Sequence, residues 1–138
     1  MARSEGVVFE GTDVVELKLP FKAEYVSMAR LIVSGIASRM GFDIDTIEDI
    51  KVAAAEVCNK LVERGSKTAS NYSVVYEVRE DSLKISFGCE DKTLRCIFDD
   101  EEDELGLSII TALMDEVELC SDDAFLLSMS KMVEESSW

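Results

Sequence analysis

The stretch Asp45-Thr46-Ile47-Glu48-Asp49-Ile50-Lys51-Val52-Ala53-Ala54-Ala55-Glu56-Val57-Cys58-Asn59-Lys60-Leu61-Val62-Glu63-Arg64-Gly65 decides the fold. It reads as one amphipathic helix with signals at both ends. Asp45 is placed to cap the first turn, Glu48 three residues on completes a capping box, and Gly65 suits the left-handed position past the last turn. At about 100° per residue, Ile47, Ile50, Ala54, Val57, Cys58 and Leu61 share one stripe, which is expected to face a core. Glu56 projects from the opposite side, flanked by Asn59 and Lys60. Taken alone, a carboxylate there is a solvated surface residue.

Upstream, residues 24–40 give a second helix with the expected core stripe Tyr25, Met28, Ala29, Ile32, Ile36 and Met40, closed by Gly41. Arg30 and Ser34 lie across from that stripe. Before it, residues 14–19 alternate, with Val15, Leu17 and Leu19 on one face and Glu16 and Lys18 on the other, and Pro20 ends the strand because it has no N–H for a ladder.

Downstream, residues 66–71 form a polar connection, and residues 73–78 and 83–89 read as paired strands joined around Glu80-Asp81-Ser82. The run at residues 94–98 fits either a short strand or a packed loop. Six consecutive carboxylates follow at residues 99–104, Asp99-Asp100-Glu101-Glu102-Asp103-Glu104. Charge of one sign packed so densely reads as a solvated loop or helix lead-in, and the run lacks the turn glycine and ligand spacing of a calcium loop. A short helix is expected over residues 105–114, with Leu105, Ile109, Ala112 and Leu113 inward. Residues 117–120 and 125–132 then make a closing hairpin around Ser121-Asp122-Asp123.

Helices adjacent in sequence beside antiparallel hairpins predict an α+β two-layer sandwich. Its sheet is expected to be mixed but mostly antiparallel, with helices on one face, in a single domain over residues 1–138.

Composition sets the outer limits. With 138 residues and 47% hydrophobic residues, the chain can bury a core without staples. Fourteen basic against 29 acidic residues give a net charge of −15, a surface that repels nucleic acid and anionic membranes and favours basic protein partners. Cys58, Cys89, Cys96 and Cys120 have no short metal-binding spacing and the chain has no His, which argues against structural zinc and against His-dependent nucleophiles. Free thiols, no basic-then-apolar start and no membrane-length apolar run together point to the cytoplasm.

Three segments in order resemble the anti-sigma-factor serine protein kinases, small bacterial members of the ATPase superfamily that shares the Bergerat fold with gyrase and the histidine kinases. The first is Leu19-Pro20, Glu24-Tyr25-Val26, Arg30-Leu31 and Ser34-Gly35-Ile36-Ala37-Ser38-Arg39-Met40-Gly41. The second is Ile47-Glu48-Asp49-Ile50-Lys51 through Ala55-Glu56-Val57-Cys58, and the third is Leu105-Gly106-Leu107 with Thr111-Ala112-Leu113-Met114-Asp115-Glu116-Val117. The resemblance implies an ATP and Mg²⁺ site between the central helix, the strand ending near Cys89 and the turn at Gly106 and Leu107. It implies that Glu56 is the general base toward a partner serine and that Arg30 contacts a sigma factor or its antagonist. It also implies a homodimer.

Within that resemblance, the site positions depart from the family pattern. The Asn that holds Mg²⁺ four residues after the Glu is here Lys60, whose ammonium cannot ligate a cation. Asn59 is adjacent but about 100° away around the helix. Lys60 could instead meet phosphate directly as a point charge. The adenine-reading Asp-x-Gly becomes Cys89-Glu90-Asp91, and loss of the Asp removes a charged hydrogen bond worth roughly 1.5–3 kcal/mol. The second glycine motif is Glu104-Leu105-Gly106-Leu107, approached through the acidic run. These departures predict a regulatory protein-binding domain with an impaired ATP site. The alternative is an active ATP-dependent serine kinase that phosphorylates an anti-sigma-factor antagonist.

Overall fold

The computed structural model describes residues 12–94, 97–98, 103–119 and 125–134. Residues 99–102 of the acidic run, the 121–123 turn, Cys96 and Cys120 lie outside them.

The chain runs through β1 (Asp13–Pro20), α1 (Val26–Met40), α2 (Ile44–Arg64), β2 (Asn71–Val78), β3 (Ser82–Gly88), α3 (Glu104–Leu113), β4 (Glu116–Leu119) and β5 (Leu127–Met132). Short 3-10 turns stand at Ala23–Tyr25 and Lys92–Leu94. The five strands form one sheet in the order β1-β2-β3-β5-β4. Among the described residues every strand pair is antiparallel, in keeping with the mostly antiparallel sheet expected from the sequence.

Strand alternation divides the sheet into two faces. Leu19, Tyr72, Val74, Tyr76, Ile85 and Phe87 are buried on one face, against the helices. The Tyr76 hydroxyl crosses that interface to donate to the Ala29 carbonyl of α1 at 3.2 Å. The other face carries Glu16, Lys18, Ser73, Glu77 and Lys84, which fall in register across β1, β2 and β3. Ser128 donates to Ser86 there at 2.9 Å, so two small polar groups without helix cover satisfy each other. The two-layer α+β sandwich follows directly from this division.

The helices sit differently from their sequence reading in three respects. The cap of α2 is Asp43, not Asp45: its Oδ1 accepts from the Thr46 N–H at 2.8 Å. An extended Asp immediately before the first helical residue satisfies an orphan donor, so the helix starts earlier than the apolar periodicity indicated. In α1 the buried stripe is Val26, Ala29, Val33 and Ala37, with Ile32, Ile36 and Met40 packed on its flank. Small residues let α1 approach the sheet and α2 closely, and this leaves Tyr25 and Met28 at 41% and 43% exposed. In α3 the inward residues are Leu107, Ile110, Leu113 and Met114, while Leu105 is 73% exposed and Ala112 is exposed as well.

Both expected glycine stops hold. Gly41 has φ +93 and Phe42 donates to the Ala37 carbonyl at 3.2 Å, which closes α1 in a left-handed turn. Gly65 has φ +63, and its N–H donates to the Leu61 carbonyl at 2.8 Å. Of residues 94–98, Leu94 ends a 3-10 turn and Ile97 and Phe98 lie in a turn, and all three are buried, so none of these described residues is in a strand.

Candidate functional site

The central helix presents two opposite faces. Ile50, Ala53, Ala54, Val57, Cys58 and Leu61 are fully buried, matching the sequence stripe closely. Cys58 lies inside the core, where burial pushes its thiol up to about 12, so at neutral pH it is a neutral apolar group. Opposite this stripe, Glu56, Lys60 and Arg64 stand four residues apart along one line of the helix.

These three side chains meet the start of α3. Gly106 is required there by close approach: a Cβ at that position would stand 3.2 Å from the Phe98 ring and 3.5 Å from Glu56 Oε2. The Glu56 carboxylate is therefore packed beside the first turn of α3 and half-buried. Leu107, the next residue, turns its side chain into the core boundary.

Lys60 and Arg64 converge on Asp103. One Asp103 carboxylate oxygen accepts from Lys60 Nζ at 2.5 Å and the other from Arg64 Nη2 at 2.8 Å. The same Arg64 nitrogen also donates to the Ile97 carbonyl at 3.2 Å. Asp103 is only 3% exposed, against 15% for the Lys60 side chain and 34% for that of Arg64. The hydrogen bond from Lys60 to Asp103 is the main cause that raises the Lys60 pKa and keeps its ammonium charged. Asp103 precedes α3 at the position where an Asp ordinarily caps the helix, yet its side chain makes no cap bond. Two cations hold it instead.

This corrects the reading of the acidic run. Asp103 is a buried ion-pair member rather than a solvated charge, and only Glu104 of the two described members is exposed. Sequence reasoning missed Asp103 and Arg64. The one available signal was the four-residue spacing of Lys60 and Arg64, which calls for a shared anionic partner.

Past the end of β3, Asp91 is tied into a network of its own that includes Ser66, just beyond α2. Its Oδ2 accepts from Ser66 Oγ at 2.6 Å, and its Oδ1 accepts from Thr93 Oγ1 at 2.6 Å and Thr93 N–H at 3.0 Å. These donors, Ser66 foremost, hold the Asp91 carboxyl down at about 2. Cys89 accepts from the Asp91 N–H at 3.4 Å and its thiol reaches the Asn71 carbonyl at 3.8 Å, while burial raises its pKa. Asn59 is exposed on α2, away from the Lys60 and Arg64 line. Arg30 is exposed on α1, with the exposed Leu31 next to it.

The structure thus brings Glu56 beside Gly106 and Lys60 beside Asp103 at the start of α3, while Asp91, past the end of β3, is bonded to Ser66 just beyond the end of α2. A cavity of about 610 Å³ lies elsewhere, on the sheet face away from the helices, lined by Glu16, Lys18, Ser73, Val75, Gly88 and Cys89 among others. Among the described residues no group of three or more His, Cys, Asp or Glu could hold a metal ion, and no helix is long and apolar enough to cross a membrane. The residues at the expected Mg²⁺ position do not fit the ion: an ammonium stands there, and the nearby Asp103 carboxylate already serves two cations.

The described residues thus form an antiparallel sheet packed against three helices, with the Glu56 carboxylate of α2 beside Gly106 in the first turn of α3. The chain belongs to the histidine kinase-like ATPase family, whose model matches residues 19–131. Among curated proteins it is 34% identical to serine-protein kinase RsbW of Halalkalibacterium halodurans, over 88% of this chain and 85% of that protein. It is 37% identical to serine-protein kinase RsbW of Bacillus licheniformis, over 88% of this chain and 86% of that one. The protein of the same name from Bacillus cereus is 31% identical over 92% and 89% of the two chains. The kinship suggested by three short segments therefore extends over most of the chain.

Proposed function

We propose that this chain is a single-domain regulator of the anti-sigma-factor type that works by protein binding, with a nucleotide site that no longer supports the family's chemistry. The observation that carries the proposal is the commitment of Lys60 to Asp103 at the position where the family holds Mg²⁺. An ammonium contributes no lone pair to a metal and repels it. The absence of a carboxylate at Cys89, and the engagement of Asp91 by Ser66 and Thr93, support the same conclusion for adenine recognition.

The partner surface is the outer side of α1. Arg30 stands there as a charged anchor, and its neighbour Leu31 is exposed beside it. The occupant would be a sigma factor or its antagonist, and the net charge of −15 favours a partner with a basic contact face. The domain would act in the cytoplasm, and a homodimer is part of the proposal.

The test is nucleotide-free mixing with the sigma factor and the antagonist encoded in the same genome, followed by size-exclusion chromatography. A complex is expected without ATP, weakened by Arg30→Ala. No complex with either protein would overturn the proposal.

One observation favours a second reading. Glu56 is retained and stands beside the first turn of α3, where a base toward a partner hydroxyl belongs in an ATP-dependent serine kinase. Phosphate transfer to the antagonist, abolished by Glu56→Ala, would establish that reading.

A further inference from the structure

The cavity of about 610 Å³ on the helix-free face of the sheet has no part in the proposed function. Its floor follows from the strand register. Lys18, Ser73 and Gly88 stand in one row across β1, β2 and β3, and Glu16 and Val75 stand in the next. Ser73 is short and Gly88 has no side chain, so this row leaves a hollow beside Lys18. The far wall comes from the connections after α2 and after β3, which contribute Ala69, Cys89 and Glu90. Those two connections are tied together. Ser66 Oγ accepts from the Thr68 and Ala69 N–H groups at 3.2 and 2.9 Å and donates to Asp91 at 2.6 Å. The wall is therefore fixed before any ligand arrives, and a cavity of this size holds a small molecule with water around it.

The charges in the cavity have an order. Glu16 and Lys18 lie two residues apart on one face of β1, roughly 7 Å from each other. Glu90 supplies a second carboxylate at the opposite wall. Among the described residues the side chains of Glu16, Lys18 and Glu90 form no ion pair, and those of Asn71 and Ser73 make no hydrogen bond. A ligand that answers all three charges carries one negative and two positive groups. A free amino acid with a basic side chain has this set: a carboxylate for Lys18, an α-ammonium for Glu16 and a side-chain cation for Glu90. A nucleotide does not, because its phosphates would meet two carboxylates.

We infer that this cavity binds a basic α-amino acid through the charges of Lys18, Glu16 and Glu90. Asn71 and Ser73 add neutral hydrogen-bonding groups along the floor, and the net charge of −15 draws a net cation toward it. The site lies across the sheet from α1 and α2, so it stands or falls separately from the proposed function.

The experiment is a nuclear magnetic resonance titration of the full chain with L-arginine, agmatine and L-citrulline at matched salt. L-arginine is expected to give a saturable shift of the Ser73 and Gly88 amide resonances. Agmatine lacks the carboxylate and L-citrulline the side-chain cation, so each should bind at least about tenfold more weakly. Lys18→Met should lower the affinity for L-arginine to that for agmatine without weakening agmatine. Glu90→Gln should lower it to that for L-citrulline without weakening L-citrulline. The amide spectra of both variants report whether the fold is kept, and if either loses it, the three ligands on the parent chain decide. Three results overturn the inference: no saturable shift up to about 10 mM L-arginine, equal affinity for L-arginine and either analogue, or shifts spread over the acidic surface instead of these residues. A variant that weakens all three ligands alike overturns the pairing of charges on which it rests.

Discussion

The two faces of α2 obey different rules. Its inner face is a continuous apolar stripe, buried from Ile50 to Leu61, whose membership could be read almost residue by residue. Its outer face carries Glu56, Lys60 and Arg64, whose meaning depends on what the distant start of α3 brings to them. Packing fixes the inner face through many interchangeable contacts. The outer face depends on single polar partners, such as the Asp103 carboxylate that Lys60 and Arg64 share.

The contrast can be broken or sharpened by substitution. Leu61→Ala on the inner face should cost the most, about 2–5 kcal/mol in urea unfolding, because it opens a cavity in a fully buried position. A loss below about 1 kcal/mol would mean that the inner face is less tightly packed than its burial indicates. On the outer face, Lys60→Met should cost less, about 1.5–3 kcal/mol, since Arg64 continues to satisfy one oxygen of the buried Asp103. If Lys60→Met proves as damaging as Leu61→Ala, the polar face is a structural element in its own right.

The third prediction concerns acid. A carboxyl held down at about 2 when folded, against 3.8 as its ordinary value, takes up its proton less readily in the folded chain than in the unfolded one. Asp91 therefore stabilises the fold above about pH 4 and stops doing so as pH falls toward 2. Asp91→Asn should flatten the decline of stability across that window, as read by circular dichroism. An unchanged acid profile would show that the Ser66 and Thr93 bonds are not maintained in solution. The smallest effect should come from Glu63→Ala, within about 0.5 kcal/mol, because its contact with Lys60 is exposed.

Much of the fold was legible because its signals are local. Alternation gave β1, β2 and β3, glycines gave the ends of α1 and α2, and the 3.6-residue period gave the inner face of α2. Errors arose where local patterns left a choice. The sequence stripe of α1 runs through Tyr25 and Met28 as well as Ala29, whereas close packing buries Val26, Val33 and Ala37 with Ala29 and leaves the two large residues outside. In α3 the short length left the rotation open, and Leu105 went to solvent while Ile110 went inside. The α2 cap shifted to Asp43 because capping depends on backbone geometry before the periodic run begins.

The candidate site was legible as a list of positions but not as an arrangement. Lys60 was recognisable as unable to hold a metal, from its ammonium alone. That its charge is answered by Asp103, 43 residues later, depends on the packing of α2 against α3, which no spacing rule encodes. Asp103 sat inside a run of like charges, where the solvated reading applies to most members and failed for this one.

The central claim is that the outer face of α2 no longer holds a nucleotide with its metal. Isothermal titration of the unmodified chain with ATP and Mg²⁺ tests it most directly. The account predicts no binding in the micromolar range, and a micromolar dissociation constant would contradict it.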